Sequence, residues 1–276
     1  MPATAAPALA MTDAIIRSRS NPLVKRLRSL KERGATDLAL LEGMTLVEEA
    51  LAAGIALVEA AASPRADKTP RGRALVARLA TAGIPVRRVD DAVLASLSEA
   101  ETSQGLLALA RRPSFDEDAI YAGTPLVVVA AGLQNPGNVG ALLRTAEAAG
   151  ATGAYLAAGT ADPLSWKALR GAMGSAFRLP HVHGMPVEQA LARLQKRKVL
   201  TLATVAEGGQ SYDMVDLRQP VAFVLGNEGS GLPPEVLARI DARVTIPMAG
   251  ATESLNVGVA AGVLLFEAAR QRRARQ

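Results

Sequence analysis

The 276-residue chain contains no cysteine. That absence removes disulfides, thiolate nucleophiles and Cys-ligated zinc in one step, and it fits a reducing compartment. Aromatic residues are scarce at 3%, with one Trp, three Tyr and four Phe. Base-stacking platforms are thereby excluded as the main means of holding RNA or DNA. Long apolar runs are missing as well, because Lys, Arg, Asp or Glu interrupts each candidate before it reaches membrane-spanning length. The opening MPATAAPALAM is small, Pro-punctuated and without the positive charge that begins a secretory signal. It reads as a disordered tail over residues 1–12, or as sequence ahead of a start at Met11. A soluble, cytoplasmic protein without membrane association is expected.

What is present is apolar bulk and unevenly placed positive charge. An apolar fraction of 49% is ample for a sizeable core, and the length suits two domains. The net charge is +5. Between positions 17 and 33, Arg17, Arg19, Lys25, Arg26, Arg28, Lys31 and Arg33 face a single acid, Glu32. A second basic cluster, Arg270, Arg272, Arg273 and Arg275, closes the chain. Such clusters attract phosphate backbone irrespective of sequence; a solvated helix face is the ordinary alternative.

Two α/β halves follow from the periodicity, with a break at RRPSFDEDAIYAGTP (Arg111 to Pro125). NPLVKRLRSLKERG predicts a basic amphipathic helix with Asn21 as N-cap, Pro22 as first residue and Gly34 as stop. Strand-like LALLEG, IALVEAAA, PVRRV and GLLALA alternate with helix-like MTLVEEALAAG and GRALVARLATAG. In the second half PLVVVAAGL, GAYLAA, VLTLATV, VAFVLG and ARVTIPM read as strands of a mostly parallel sheet covered by helices on both faces. The divisions expected are a tail over 1–12, an α/β domain over 13–112, a linker over 113–124 and a second α/β domain over 125–276.

Chemistry is concentrated in three loops at strand ends, where open α/β sheets place ligands. The first is LQNPGNVGALLRTAEAAG (Leu133 to Gly150). Pro136 and Gly137 shape a turn there, Asn138 caps a helix, and Arg144 lies about one and a half turns in. Such a helix start suits a phosphate, although strand, turn and capped helix with Arg144 in solvent is the bland alternative. The second loop, GNEGSG (Gly226 to Gly231), lacks the Lys-Ser/Thr ending of a P-loop and does not fit G-x-G-x-x-G. Within it Asn227 and Glu228 stand ready to meet a ligand. The third, IPMAGATESLNVGVAAGVLLFEAAR (Ile246 to Arg270), enters a long helix with Ser254 as N-cap. Leu255, Val259, Gly262, Val263 and Phe266 form its expected buried stripe. Asn256 is a structural hydrogen-bonder or a site group, and Gly258, Ala260, Ala261 and Gly262 permit the close helix packing that a dimer or a tightly threaded fold would need. His181 and His183 alternate along LPHVHG without a neighbouring carboxylate, which favours a surface or core role over a metal site. Trp166 beside Lys167 and Arg170 is read as packing.

Taken together and in this order, the three segments resemble the SpoU (TrmH-type) RNA ribose 2'-O-methyltransferases of the SPOUT superfamily. RSRSNPLVKRLRSLKERGATDLALLEGMTLVEEALAAG is similar to the substrate-binding domain that precedes the catalytic domain in many members. The resemblance implies a deep C-terminal trefoil knot, a homodimer, and S-adenosylmethionine held by backbone around Gly226, Ile246 and Leu255 with Leu225 and Met248. It places Asn138, Arg144, Glu228, Ser254 and Asn256 at the reaction site, with no metal required. Methylation of a ribose 2'-hydroxyl in structured RNA is implied, rRNA in preference to tRNA, with the final proton acceptor left open. The competing readings are an RNA chaperone or assembly factor on the same fold and a nucleotide-dependent enzyme of another kind. Intact motif positions weigh against the first, and the missing Lys and late glycine loop against the second.

Overall fold

The structure, a computed structural model, describes residues 14–33, 37–98 and 103–273, with the Arg33 side chain excepted. The expected tail over 1–12, Met11, the Gly34 helix stop and Arg275 lie outside the described residues. The chain divides into two compact units, Met1–Pro113 and Ser114–Gln276.

In the first unit α1 (Pro22–Arg33) begins as its sequence dictates. Leu23 N donates to Asn21 Oδ1 at 2.9 Å, and Pro22 takes the first helical position, where its missing N–H costs nothing. Val24 and Leu27 bury the apolar face. Then come β1 (Leu38–Glu42), α2 (Met44–Ala52), β2 (Leu57–Ala62), α3 (Pro70–Thr81), β3 (Val86–Arg88), α4 (Asp91–Ala95) and β4 (Leu106–Arg111). The sheet order is β1-β4-β2-β3. Strand β4 is antiparallel to both neighbours, while β2 and β3 run parallel. The last strand fills the middle of this mixed sheet, and its first five residues are buried.

The second unit comprises β5 (Leu126–Ala130), α5 (Pro136–Ala148), β6 (Gly153–Leu156), α6 (Trp166–Ala172), α7 (Ser175–Arg178), β7 (His181–His183), α8 (Val187–Lys196), β8 (Leu200–Thr204), β9 (Gln210–Ser211), β10 (Val221–Leu225), α9 (Pro234–Leu237), β11 (Ala242–Thr245) and α10 (Val257–Arg273). Seven parallel strands are ordered β7-β6-β5-β10-β8-β11-β9. Every residue of the central strands β5 and β10 is buried, as unbroken apolar runs in a doubly covered parallel sheet must be. The chain builds outward from β5 to β7, crosses to β8, and later inserts β10 between β5 and β8. That reversal makes a switch point, and the carboxyl ends of its strands open a crevice.

Residues 114–124 fold into the second unit, where the sequence reading expects linker. A 3₁₀ turn over Glu117–Tyr121 buries Ile120, and Tyr155 donates to Glu117 at 2.6 Å. The basic C-terminal cluster also divides by role. The Arg272 guanidinium donates to the carbonyls of Thr124, Pro125, Leu217 and Gln219 at 2.8–3.0 Å, and Arg270 pairs with Glu267. Arg272 is a structural clamp, and burial pushes its pKa down from the ordinary value.

Candidate active site

Four strand ends and the loops after them enclose a cleft of about 960 Å³. Leu225, Val244, Ile246 and Leu264 supply apolar lining, while Gln134, Asn138, Thr204, Glu228, Ser254 and Asn256 supply polar lining.

The loop after β10 is shaped by one glycine and one asparagine. A Cβ on Gly226 would stand 2.3 Å from the Gly231 carbonyl carbon and 2.6 Å from Leu232 N, so only glycine lets the loop close. Asn227 N donates to Gly231 O and Gly231 N returns a bond to Asn227 O, at 3.1 and 2.9 Å. Asn227 Oδ1 accepts from Gly229 N at 2.9 Å, and its Nδ2 donates to Gly132 O at 2.9 Å. Asn227 therefore spends its side chain on loop shape. Glu228 is left exposed beside it.

Helix α5 starts three residues earlier than its sequence pattern predicts. Asn135 is the cap, accepting from Gly137 N at 2.8 Å, and Pro136 and Gly137 are helical residues instead of a turn. Asn138 is thereby freed from capping, and Arg144 becomes the ninth residue of the helix. A similar correction applies to α10. Asn256 Oδ1 accepts from Gly258 N at 2.9 Å and caps the helix, while Ser254 is an exposed cleft residue.

These shifts produce a single hydrogen-bonded chain across all three loops. Asn256 Nδ2 donates to Asn138 Oδ1 at 3.1 Å, and Asn138 Nδ2 donates to Glu228 Oε1 at 2.8 Å. Its polarity is set from one end. The Gly258 N–H requires an oxygen from Asn256, which turns the Asn256 amide nitrogen toward Asn138, and that in turn aims the Asn138 nitrogen at the carboxylate.

Of the residues singled out in the sequence, Asn138, Glu228, Ser254, Asn256, Leu225, Gly226, Ile246, Met248 and Leu255 all line the cleft. Arg144 does not. It lies exposed on α5, about 9 Å along the axis from Asn138 at 1.5 Å per residue. Sequence reasoning missed Gln134, Glu253 and the end of β8, where Thr204 Oγ1 donates to Val224 O at 3.0 Å. The signal for β8 was its place as a parallel strand, whose carboxyl end must border the crevice.

The expected stripe on α10 is also corrected. Its buried residues are Val257, Gly258, Ala261, Leu264, Leu265, Ala268 and Ala269. Val259 and Phe266 are 54% and 47% exposed. Glycine contacts explain the register, since Gly258 and Gly262 face Ala141 and Thr145 of α5.

His181 Nδ1 meets Leu179 O, and His183 Nε2 meets Thr160 O. Trp166 is buried with Arg170 over its ring at 4.8 Å. No cluster of three or more His, Cys, Asp or Glu suited to a metal occurs among the described residues.

S-adenosylmethionine fits this cleft on three grounds. The volume lies in the range of cofactor pockets. Apolar side chains and polar groups line it together, as a purine-bearing zwitterion needs. Met248 and Leu255 turn backbone N–H and C=O groups to no hydrogen-bond partner among the described residues, which leaves donors and acceptors for a ligand.

Residues 125–266 match the SpoU rRNA Methylase family, and residues 21–108 match the MRM3-like substrate binding domain. An uncharacterised tRNA/rRNA methyltransferase of Synechocystis is 35% identical, over 94% of each chain. The 23S rRNA (guanosine(2553)-2'-O)-methyltransferase RlmP of Bacillus subtilis is 33% identical, over 88% of this chain and 92% of its own. The crystal structure of the SpoU methyltransferase AviRb from Streptomyces viridochromogenes, in complex with AdoMet, superposes with a TM-score of 0.84 at 27% identity, covering 92% of this chain and 99% of that one. With matched family segments in both halves and its three loops closing on one cleft, this chain belongs to the SpoU rRNA methylase family.

Proposed function

We propose that this protein transfers a methyl group from S-adenosylmethionine to a ribose 2'-hydroxyl of ribosomal RNA, of the 23S type. The observation that carries the reading is the chain Gly258–Asn256–Asn138–Glu228, which ties the three motif loops together on the cleft. The names of the curated relatives support rRNA as the substrate.

The cofactor supplies an electrophilic methyl on a sulfonium sulfur. Leu225, Gly226, Ile246, Met248 and Leu255 hold it by backbone and apolar contact. Asn138, Glu228, Ser254 and Asn256 fix the target ribose for in-line attack, and positioning of this kind supplies much of the acceleration. Arg144 carries a guanidinium, and a guanidinium is a poor base. Arg144 lies outside the cleft of its own chain, so in the proposed homodimer its fork serves the cleft of the second copy, where it binds the phosphate next to the target and stabilises the oxyanion that develops as the hydroxyl loses its proton. In this reading the segment 13–112 docks RNA, 125–276 performs the chemistry, the C-terminal part is threaded as a trefoil knot, and the enzyme works as a cytoplasmic homodimer. Support for the soluble setting is that no helix among the described residues is long and apolar enough to cross a membrane.

The test uses tritiated S-adenosylmethionine with separate pools of unmodified rRNA and tRNA. Label is expected in rRNA as an alkali-resistant linkage. Arg144→Ala should lose it by at least about 100-fold, the scale of an oxyanion-stabilising group. Arg144→Lys keeps the charge without the planar fork, so full activity in that variant would remove the role given to the guanidinium. Measurable cofactor binding without label in either pool would sink the rRNA assignment.

A further inference from the structure

Arg87 and Arg88 lie in the short strand β3, far in sequence from the basic cluster at positions 17–33. The fold brings them together. Ile16 pairs with Val89 beside β3, with Ile16 N donating to Arg88 O and Asp90 N to Ile16 O, both at 2.9 Å. This bridge lays the segment that leads into Arg17 and Arg19 along the edge of the sheet. Helix α1 follows at once, and Asn21, Arg26, Glu59, Arg87 and Arg88 line one open cleft of about 520 Å³ with Ile16 on its apolar side.

The charges in this cleft are arranged unevenly. Glu59 is the only acid among the described residues of the lining, and its side chain is 17% exposed. Arg87 Nε donates to it at 3.0 Å while Arg26 stands 3.9 Å away, so two guanidiniums share one carboxylate. Arg88 is paired with Asp67 at 2.8 Å. Arg17, Arg19 and Lys25 are exposed on the adjoining segment. The cleft therefore carries a surplus of positive charge, and one partly buried acid holds two of its guanidiniums, Arg26 and Arg87, in place.

We infer that this face of the first unit is an RNA-docking surface that grips the phosphodiester backbone, with Arg26 and Arg87 making phosphate contacts and Glu59 restraining both. The inference rests on the rRNA-methyltransferase reading and names which surface engages the substrate. Among the described residues no aromatic side chain lines the cleft, so it is assigned phosphate contacts and no base stacking. Recognition is by backbone and shape, and its affinity is salt-dependent through counterion release.

The experiment measures binding of the full-length protein to an in vitro transcript of bacterial 23S rRNA between 50 and 200 mM salt. Arg26→Ala removes one phosphate contact. Its affinity should fall at 50 mM salt, and its loss of affinity over that salt range should be about threefold smaller than wild type, as a slope change of 0.7–0.9 per contact requires. Glu59→Gln should do the reverse, tightening binding by about threefold and steepening the slope. Opposite signs separate docking from a folding defect, which would weaken both variants. S-adenosylmethionine binding, followed by calorimetry, should be unchanged in each. Unaltered affinity and slope in both variants, or weakening in both, overturns this surface while leaving the methyltransferase reading intact. Failure of the wild-type protein to bind the cofactor or label rRNA overturns that reading instead.

Discussion

Asn138 and Asn256 carry the same side chain within one hydrogen-bonded chain, but their losses should differ. Asn256 caps α10 through Gly258 N and also donates to Asn138. Removing a cap costs about 0.5–2 kcal/mol. Asn256→Ala should therefore lower the Tm and reduce methyl transfer together. Asn138 caps nothing, since Asn135 does that work. Asn138→Ala should leave the Tm nearly unchanged and lower kcat/KM by about tenfold or more, since its loss leaves Glu228 and Asn256 without their bridge. Equal Tm losses in the two variants would contradict this division. The residue types were legible in the sequence, but the roles were not. A cap can slide by two or three residues without altering the pattern, and the partners of Asn138 stand 90 and 118 residues away.

At the scale of elements, runs with clear periodicity were legible and two short helices were not. The strands β5, β8 and β10 follow directly from apolar runs, whereas α6 and α7 have only seven and four residues. Fewer than two helical turns give no period to detect. Their placement depends on tertiary contacts such as the ion pair between α5 and α7. Arg178 Nε and Nη2 donate to the two Glu147 carboxylate oxygens at 2.5 and 3.0 Å. That hydrogen bond, against the opposing effect of burial, holds the Glu147 carboxyl below its ordinary value, with Ser175 helping. A depressed folded-state pKa adds stability above the unfolded value of about 4.3, and that stability is lost as pH falls through the folded value. Arg178→Gln should therefore reduce the Tm at neutral pH and flatten its dependence below about pH 4.3. Because both groups are partly exposed, the neutral-pH loss should be on the order of 1 kcal/mol. An unchanged acid limb in thermal scans would show that Glu147 draws its shift from elsewhere.

For the whole molecule, the order of strands was the hidden quantity. Sequence periodicity shows that strands and helices alternate, but it does not place β10 between β5 and β8, an insertion that creates the cleft. The same applies to surfaces that need a second copy. Helix α10 buries its small-residue side against α5 and leaves Val259 and Phe266 exposed, with Leu255 36% exposed at the helix entrance. Scattered apolar residues on a surface need no explanation, but a stripe along one helix beside a ligand cleft does. The proposed homodimer supplies one, by burying α10 against its counterpart around the two-fold axis that joins identical surfaces. Val259→Glu combined with Phe266→Glu places two carboxylates on that stripe. An isologous contact brings the same stripe of both copies together, so like charges meet in a desolvated setting. The doubly substituted protein should sediment at half the wild-type mass, keep its far-ultraviolet circular dichroism, and lose methyl transfer by more than about tenfold. An unchanged mass would show that the stripe does not mediate dimerisation. Half the mass with full activity would show instead that one copy of the cleft is complete by itself, and Arg144 would then have to reach its substrate within a single chain.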